Sequence, residues 1–440
     1  MPTTFETFSF SGSSENCYGL EIVKTSLLKA GHNVLPFNPD SKNPVLVSLY
    51  WPEQIYDFVR FRYQSKMRGR QIITGGNFPT TSPSAVLPFC DSVFLGDGEL
   101  WDGALDDPHL INSTSPATAR AEVQEIMPVP YEDLQQSRRA FIEISRGCKN
   151  KCLFCQYGWL KEYREANIVD IKEALKRVKT KSVRVFAADR FQHHDYQAIR
   201  DMMESRGKTD TGSDVSIRFL LQNPGYLKYT NKVRVGVEGL SHRLRKMIGK
   251  PYTNDDIIKF CTLVRDAGIK SLDFYMIYGL PTETDADVDE YRELLLKLDE
   301  IMPPGYALAI HWNAFTPSAM TPLQWAAPAQ GEFNGVAALF AGTGNKSIKV
   351  YHKPKFTGPW TIIKRMLAIR GSAETKKLVF SVATREAEFK RAPDVVLREF
   401  KDATARDLLS EWPIDTPMPW DKFAVYDTAT MLRLYKSRLK

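Results

Sequence analysis

Cys148, Cys152 and Cys155 place three thiols within eight positions, spaced C-x3-C-x2-C in the run Ile-Ser-Arg-Gly-Cys-Lys-Asn-Lys-Cys-Leu-Phe-Cys. Structural zinc takes four protein ligands, and the other cysteines, Cys17, Cys90 and Cys261, stand alone in the sequence. A [4Fe–4S] cluster is held by thiolates, and three of them leave one iron open to a ligand that is not protein. The spacing therefore points to a metal centre with one reactive position. Two other readings stay open: a redox dithiol at Cys152-x-x-Cys155, which would leave Cys148 idle, and an incomplete zinc site. A chance cluster of core thiols fits less well, because Lys149, Asn150 and Lys151 mark a solvated loop.

The run resembles the signature of the radical S-adenosylmethionine (SAM) superfamily, C-x3-C-x-Φ-C with aromatic Phe154 at Φ, down to the preceding Arg146-Gly147. The resemblance implies that the amino and carboxylate groups of SAM chelate the free iron. An electron from the reduced cluster then cleaves a carbon–sulfur bond, and the 5′-deoxyadenosyl radical abstracts hydrogen from an unactivated carbon. It also implies an electron donor such as flavodoxin or ferredoxin. No cysteine follows Cys261, which leaves one cluster per chain.

Length and composition suit such an enzyme. The 440 residues, 43% hydrophobic and 25% charged, fill two to three ordinary domains. No apolar run reaches about 18 residues, and the first residues carry no basic or apolar leader, so no membrane association is expected. Six cysteines without framework spacing indicate a reducing, cytoplasmic compartment. A net charge of +7 favours an anionic partner. Basic residues gather at Arg234, Arg243, Arg245, Lys246 and Lys250, and again at Lys349, Lys353, Lys355, Lys364, Arg365 and Arg370 among Tyr351, His352, Phe356 and Trp360. That second stretch could contact DNA or RNA, or could be a solvated basic face.

The first hundred residues alternate apolar β-rich runs (5–10, 32–37, 44–50, 70–74, 91–95) with helical patterns (18–30, 54–67). Gly75-Gly76 and Gly96-Asp97-Gly98-Glu99 end two of the runs, as expected of a doubly wound parallel sheet with its ligand crevice at the C-terminal strand edge. Residues 1–105 read as a Rossmann-like domain and 106–139, rich in Pro, Ser, Thr and Asp, as a linker. The N-terminal pattern resembles the cobalamin-binding domain of one radical SAM subgroup, which makes cobalamin a candidate third cofactor. Many such domains supply histidine to cobalt from an Asp-x-His-x-x-Gly loop; no such run occurs here, and His32 reads as a polar turn residue.

Six further β-rich runs (140–145, 182–187, 215–220, 232–237, 271–277, 306–312) with helical patterns between them match the partial (β/α)6 barrel that the resemblance implies for residues 140–325. The cysteine loop follows the first strand, where barrel chemistry sits. By the same resemblance, Asp189 is a candidate acceptor for the SAM amino group. Gly236 and Glu238 lie in a run that approaches SAM, and Gly279 and Pro281 lie in a Gly-Leu-Pro-x-Glu-Thr-like turn beside adenine. Tyr157, Trp159, Arg190, His193 and His194 could face the pocket, while Trp325 packs as an anchor. Residues 326–440 form a smaller α+β extension that selects substrate. No catalytic residue beyond these is named by the sequence.

Three functions remain open. One is rearrangement (isomerisation) or elaboration of a carbon skeleton on an anionic substrate, such as a modified base in DNA or RNA, as in thymidine hypermodification. The second is cobalamin-dependent methylation of a peptide or small metabolite. The third is a non-catalytic iron–sulfur or zinc protein.

Overall fold

The computed structural model describes residues 2–10, 14–133, 138–212, 214–229, 232–330, 347–354, 357–414 and 416–439. Lys355 and Phe356 of the basic stretch lie outside them.

The N-terminal runs assemble into one six-stranded sheet. Strands β1 (Thr4–Phe8), β2 (Asn33–Pro36), β3 (Val45–Ser48), β4 (Ile72–Gly75), β5 (Ser92–Phe94) and β6 (Leu110–Ile111) stand in the order β2-β1-β3-β4-β5-β6. All pairings are parallel except β5 with β6. Val45–Ser48 is buried on both faces, as a central parallel strand between helix layers requires. The glycines ending β4 and β5 meet a need of the fold itself. A Cβ on Gly76 (φ +99°) would lie 2.7 Å from Leu49 O, and one on Gly96 (φ +115°) 2.2 Å from Ala121 O.

A second, barrel-like array follows. Strands β7 (Tyr131–Asp133), β8 (Arg139–Glu143), β9 (Ser145–Arg146), β10 (Arg164–Glu165), β11 (Ser182–Phe186), β12 (Thr209–Asp210), β13 (Asp214–Val215), β14 (Val233–Glu238), β15 (Ser271–Tyr278), β16 (Tyr306–Ala314) and β17 (Ile348–Pro354) occur in chain order. They form β7-β8-β11-β12 and β13-β14-β15-β16-β17, with the β9–β10 ribbon beside them. Every pairing from β8 to β17 within the two arrays is parallel.

The third expected strand, 215–220, is a correction. Its extended part ends at Val215, and Ile217–Gln222 is a helix whose cap, Ser216 Oγ, accepts from Phe219 N at 3.4 Å. The apolar run is short enough to serve either structure. Burial of Ile217 and Leu220, three apart on one helical face, decides it.

Residues 106–139 contribute β6 to the first sheet and β7 to the second. From residue 326 onward, β17 extends the barrel sheet and the remaining elements are largely helical. Helix Lys376–Thr384 lies against helix Gln54–Arg62 of the first domain, with Tyr63 edge-on to Phe380 at 4.7 Å and Arg60 Nη1 donating to Ala383 O at 2.7 Å. One hydrophobic cluster runs through all three regions. Among the described residues no helix is long and apolar enough to cross a membrane.

Candidate active site

β8 and β9 deliver the cysteine loop to the C-terminal end of the barrel. Gly147 has φ +75°, and a Cβ there would sit 2.5 Å from Glu162 O, so only glycine lets the loop turn this close to its own return. The loop is then pinned from two sides. Leu153 N donates to Ile248 O at 3.0 Å, and Leu323 N donates to Leu153 O at 3.3 Å. Trp159 Nε1 donates to Cys152 O at 2.9 Å, placing that ring against the loop.

Cys152 is buried, and Cys148 and Cys155 are half-buried. Burial raises all three thiol pKa values, that of Cys155 to about 12, and the neighbouring thiols add to the effect at Cys155. Three thiolates in this setting need a metal cation to be ionised together.

Two further strand ends meet the loop. Asp189, after β11, accepts from Phe191 N at 3.2 Å and from Gln192 Nε2 at 3.3 Å, and the same Gln192 amide reaches Cys148 Sγ at 3.4 Å. Burial raises the Asp189 pKa, with hydrogen bonds from Phe191 and Gln192 opposing it. At the end of β14 the pairing register shifts between Gly236 and Glu238, and Glu238 adopts φ +69°, which is costly for a residue with a side chain. That turn aims the carboxylate at Lys250, whose Nζ donates to Glu238 Oε1 at 3.1 Å and to Gly236 O at 3.0 Å. Burial opposes the Lys250 charge, but Glu238 and then Cys152 restore it and hold its pKa up. Lys250 was visible in the sequence only as one of several basic residues, and Gln192 carried no signal at all.

A Cβ on Gly236 would lie 2.3 Å from Glu238 Oε1 and 2.8 Å from Lys250 Nζ. Gly236→Ala should therefore leave the strand formed but displace that pair. A misplacement of this size is expected to lower the rate of SAM cleavage by about 10²-fold. Calorimetric SAM affinity and thermal unfolding, measured side by side, separate this local effect from loss of fold.

Gly279 and Pro281 lie apart from these groups. They line a second cavity with Glu283, Gln330, Glu411 and Tyr435, and a Cβ on Gly279 would meet Ala329 Cβ at 2.4 Å. The Glu283 carboxylate accepts from Gly279 N at 2.9 Å, so it serves the turn itself. Phe154 is half-buried against the main core.

Of the residues that could face the pocket, two are structural. Buried Arg190 donates to Gly212 O at 3.0 Å and pairs with Asp210 at 3.5 Å. His193 has both ring nitrogens bonded to backbone, to Ala166 O at 3.1 Å and from Asp195 N at 3.1 Å. His194 is exposed and paired with Glu165. Trp325 is buried and packs edge-on against Tyr435 at 5.7 Å, as an anchor should. His32 accepts from Thr3 N at 3.0 Å and meets Asp102 O at 2.6 Å, which makes it a packing group.

Another cavity, ≈ 1360 Å³ counting the part open to solvent, is lined from both sheets. Ser48, Gly75 and Asn77 from the C-terminal edge of the first sheet face Gly147, Tyr157 and Ala188 beside the cysteine loop. Its wall carries a buried charge network. Arg146 reaches Glu143 at 2.6 Å, Glu99 at 2.8 Å and Asp97 at 2.9 Å, and Lys161 also pairs with Asp97. Among the described residues no histidine lines this cavity.

Residues 142–295 match the family model of the radical SAM superfamily. An uncharacterized protein of Methanocaldococcus jannaschii is 24% identical over 162 residues, 36% of this chain and 36% of its own length. The ribosomal protein uS12 methylthiotransferase RimO of Thermotoga petrophila is 23% identical over 222 residues, 44% of this chain and 50% of its own. The matched part thus spans half or less of either relative. Among solved structures, the radical SAM methyltransferase TsrM of Kitasatospora setae superposes with a TM-score of 0.54 at 13% identity, covering 74% of this chain and 75% of that one. The cobalamin-dependent SAM radical enzyme OxsB superposes with 0.53 at 15%, covering 68% and 53%. Both likenesses are of fold alone. Residues 142–295, which hold the cysteine loop and most of the parallel barrel, are thus similar to the radical SAM superfamily.

Proposed function

We propose that the chain is an enzyme that cleaves SAM at a [4Fe–4S] cluster on Cys148, Cys152 and Cys155 and uses hydrogen abstraction to rearrange or elaborate a carbon skeleton. The observation that carries this reading is the convergence of the three thiols with Asp189–Gln192 and Glu238–Lys250 at one end of the barrel. When bound, the cluster and SAM supply a one-electron carbon–sulfur cleavage and, with it, a carbon radical. The protein's own groups do the rest. Gln192 ties the Cys148 thiol to the Asp189 carboxylate, so a SAM amino group at Asp189 would be oriented beside the loop. Lys250 offers a cation to the SAM carboxylate from a position fixed by Glu238. The apolar lining of the cavity, including Leu160 and Phe186, excludes water from a reactive radical.

The cavity favours a second reading, cobalamin-dependent methylation. It lies between the Rossmann edge and the cluster loop, and its wall holds Asp97, Glu99 and Glu143 against Arg146 and Lys161. That balance suits a neutral, amide-rich occupant better than a polyanion. Ser48, Gly75, Asn77 and Gly96 at the Rossmann edge would hold cobalamin, which would supply a methyl carrier beside the cluster loop.

Anaerobic reconstitution with iron and sulfide, then reduction in the presence of SAM, tests both. Absence of 5′-deoxyadenosine from the intact protein would sink either reading. With cobalamin added, S-adenosylhomocysteine together with a bound corrinoid absorbance supports methylation, and 5′-deoxyadenosine alone supports rearrangement or elaboration.

A further inference from the structure

The inner face of the barrel carries polar and charged side chains across β14–β17. Parallel pairing puts Arg234, Asp273, Ala309 and Tyr351 in one row across β14–β17, and Tyr275, His311 and Lys353 in the next. Lys349 lies beside Ala307 below them. The alternate residues, Val233, Val235, Phe274, Ile310 and Trp312, are buried in the core under the helices. His352 belongs to that outer side, since Trp312 Nε1 donates to its Nδ1 at 3.0 Å. Lys349, Tyr351 and Lys353 therefore share the inner face.

Barrel interiors are ordinarily packed with branched apolar side chains. Here Asp273 Oδ2 receives Arg234 Nε at 3.2 Å, His311 Nε2 at 3.0 Å and Lys232 Nζ at 3.4 Å, and Tyr275 lies 4.9 Å from the His311 ring. Arg184 of β11 pairs with Asp214 at 3.6 Å. Across β14–β17 the face sets four cations (Lys232, Arg234, Lys349 and Lys353) against Asp273, with Glu238 at its upper end. Tyr351, 49% exposed, stands between Lys349 and Lys353 on an edge strand, each neighbour about 6.6 Å along it. These three side chains are exposed and make no hydrogen bond or ion pair among the described residues. Gly236 and Glu238 lie on β14 just beyond Arg234, so the face leads up to the SAM end.

We propose that this face binds the substrate as a nucleotide within a nucleic-acid strand, with phosphates on Lys349, Lys353 and Arg234 and a base stacked on Tyr351. Cations flanking an exposed aromatic ring are what a single strand requires, because the ring accepts any base while the cations follow the backbone. By contrast, much of the remaining basic stretch is committed to the fold. Lys364 pairs with Glu386, Arg365 reaches Glu53 at 2.6 Å, and buried Arg370 donates to Leu408 O and Ala326 O. The proposal rests on the radical SAM reading for its chemistry, but not for binding.

Its test is equilibrium binding of a fluorescein-labelled single-stranded oligonucleotide to the full chain, without SAM or reductant, across a salt series. Lys349→Ala/Lys353→Ala should flatten the slope of log K against log salt by about 1.4, two phosphates at about 0.7 each. Tyr351→Ala should weaken binding by about tenfold with the slope unchanged, and Tyr351→Trp should restore it. Lys246→Ala, at an exposed lysine in helix His242–Met247, should change neither. Unchanged affinity and slope in the β17 variants would overturn the proposal. So would displacement of the strand by polyglutamate as readily as by unlabelled oligonucleotide, which would assign the face to an acidic peptide. A protein that binds in this way yet yields no 5′-deoxyadenosine would refute the radical reading and leave the binding site standing.

Discussion

Cys155→Ala is expected to abolish SAM cleavage, with 5′-deoxyadenosine falling to background and iron content after reconstitution falling with it. The loss should exceed the roughly 10–100-fold typical of removing an outer-shell partner, because a thiolate bonded to iron is itself removed. The fold should survive. The loop is held by backbone bonds from Leu153 to Ile248 and from Leu323 to Leu153, neither of which uses the thiol. Gln192→Ala offers the graded comparison. It removes the amide that joins Cys148 to Asp189 while keeping all three ligands, so it should retain iron and lose rate within that 10–100-fold range. Equal loss of iron in both variants would mean that Gln192 assembles the cluster site and does not orient SAM.

The second large effect is on stability. Arg146→Met should destabilise the protein by about 3–5 kcal/mol, since it strands Glu143, Glu99 and Asp97 in a buried setting with only Lys161 left to balance them. Burial opposes the Arg146 charge, but Glu143, with Glu99 and Asp97, more than restores it. Urea unfolding of variant and parent, with slopes compared, measures the change. The pH dependence has a definite sign. Burial alone would raise the Asp97 pKa, but Lys161 and Arg146 outweigh it and bring the folded value below the unfolded one, near 3.9. Its contribution is then present above that unfolded value and is lost as pH falls through the folded one. Parent and Arg146→Met should differ least at the acid end. A difference that grows as pH falls would contradict the network.

Much of this was legible in the chain itself. The short apolar runs of the first hundred residues located the strands of that sheet's parallel core, and at Val45–Ser48 the run is continuous because the strand is buried on both faces. The run at 215–220 misled because its apolar residues are few and short enough to fit either period; Ser216 and the packing of Ile217 and Leu220 decide for helix. Glu238 was found through its motif, but its partner Lys250 was not. Their link is a left-handed backbone turn, and no residue type in that run announces one. Arg190 and His193 looked reactive by type, yet the Arg190 Nη groups and both His193 ring nitrogens are used by backbone and neighbouring groups that only folding brings close.

The sequence by itself determined the metal chemistry and the order of elements, since ligand spacing and hydrophobic period are local and survive without a fold. Only the tertiary structure decided which side chains share a face. Lys349, Tyr351 and Lys353 join Arg234, Tyr275 and His311 through strand register, a relation between segments 40 to 120 residues apart that no local pattern encodes.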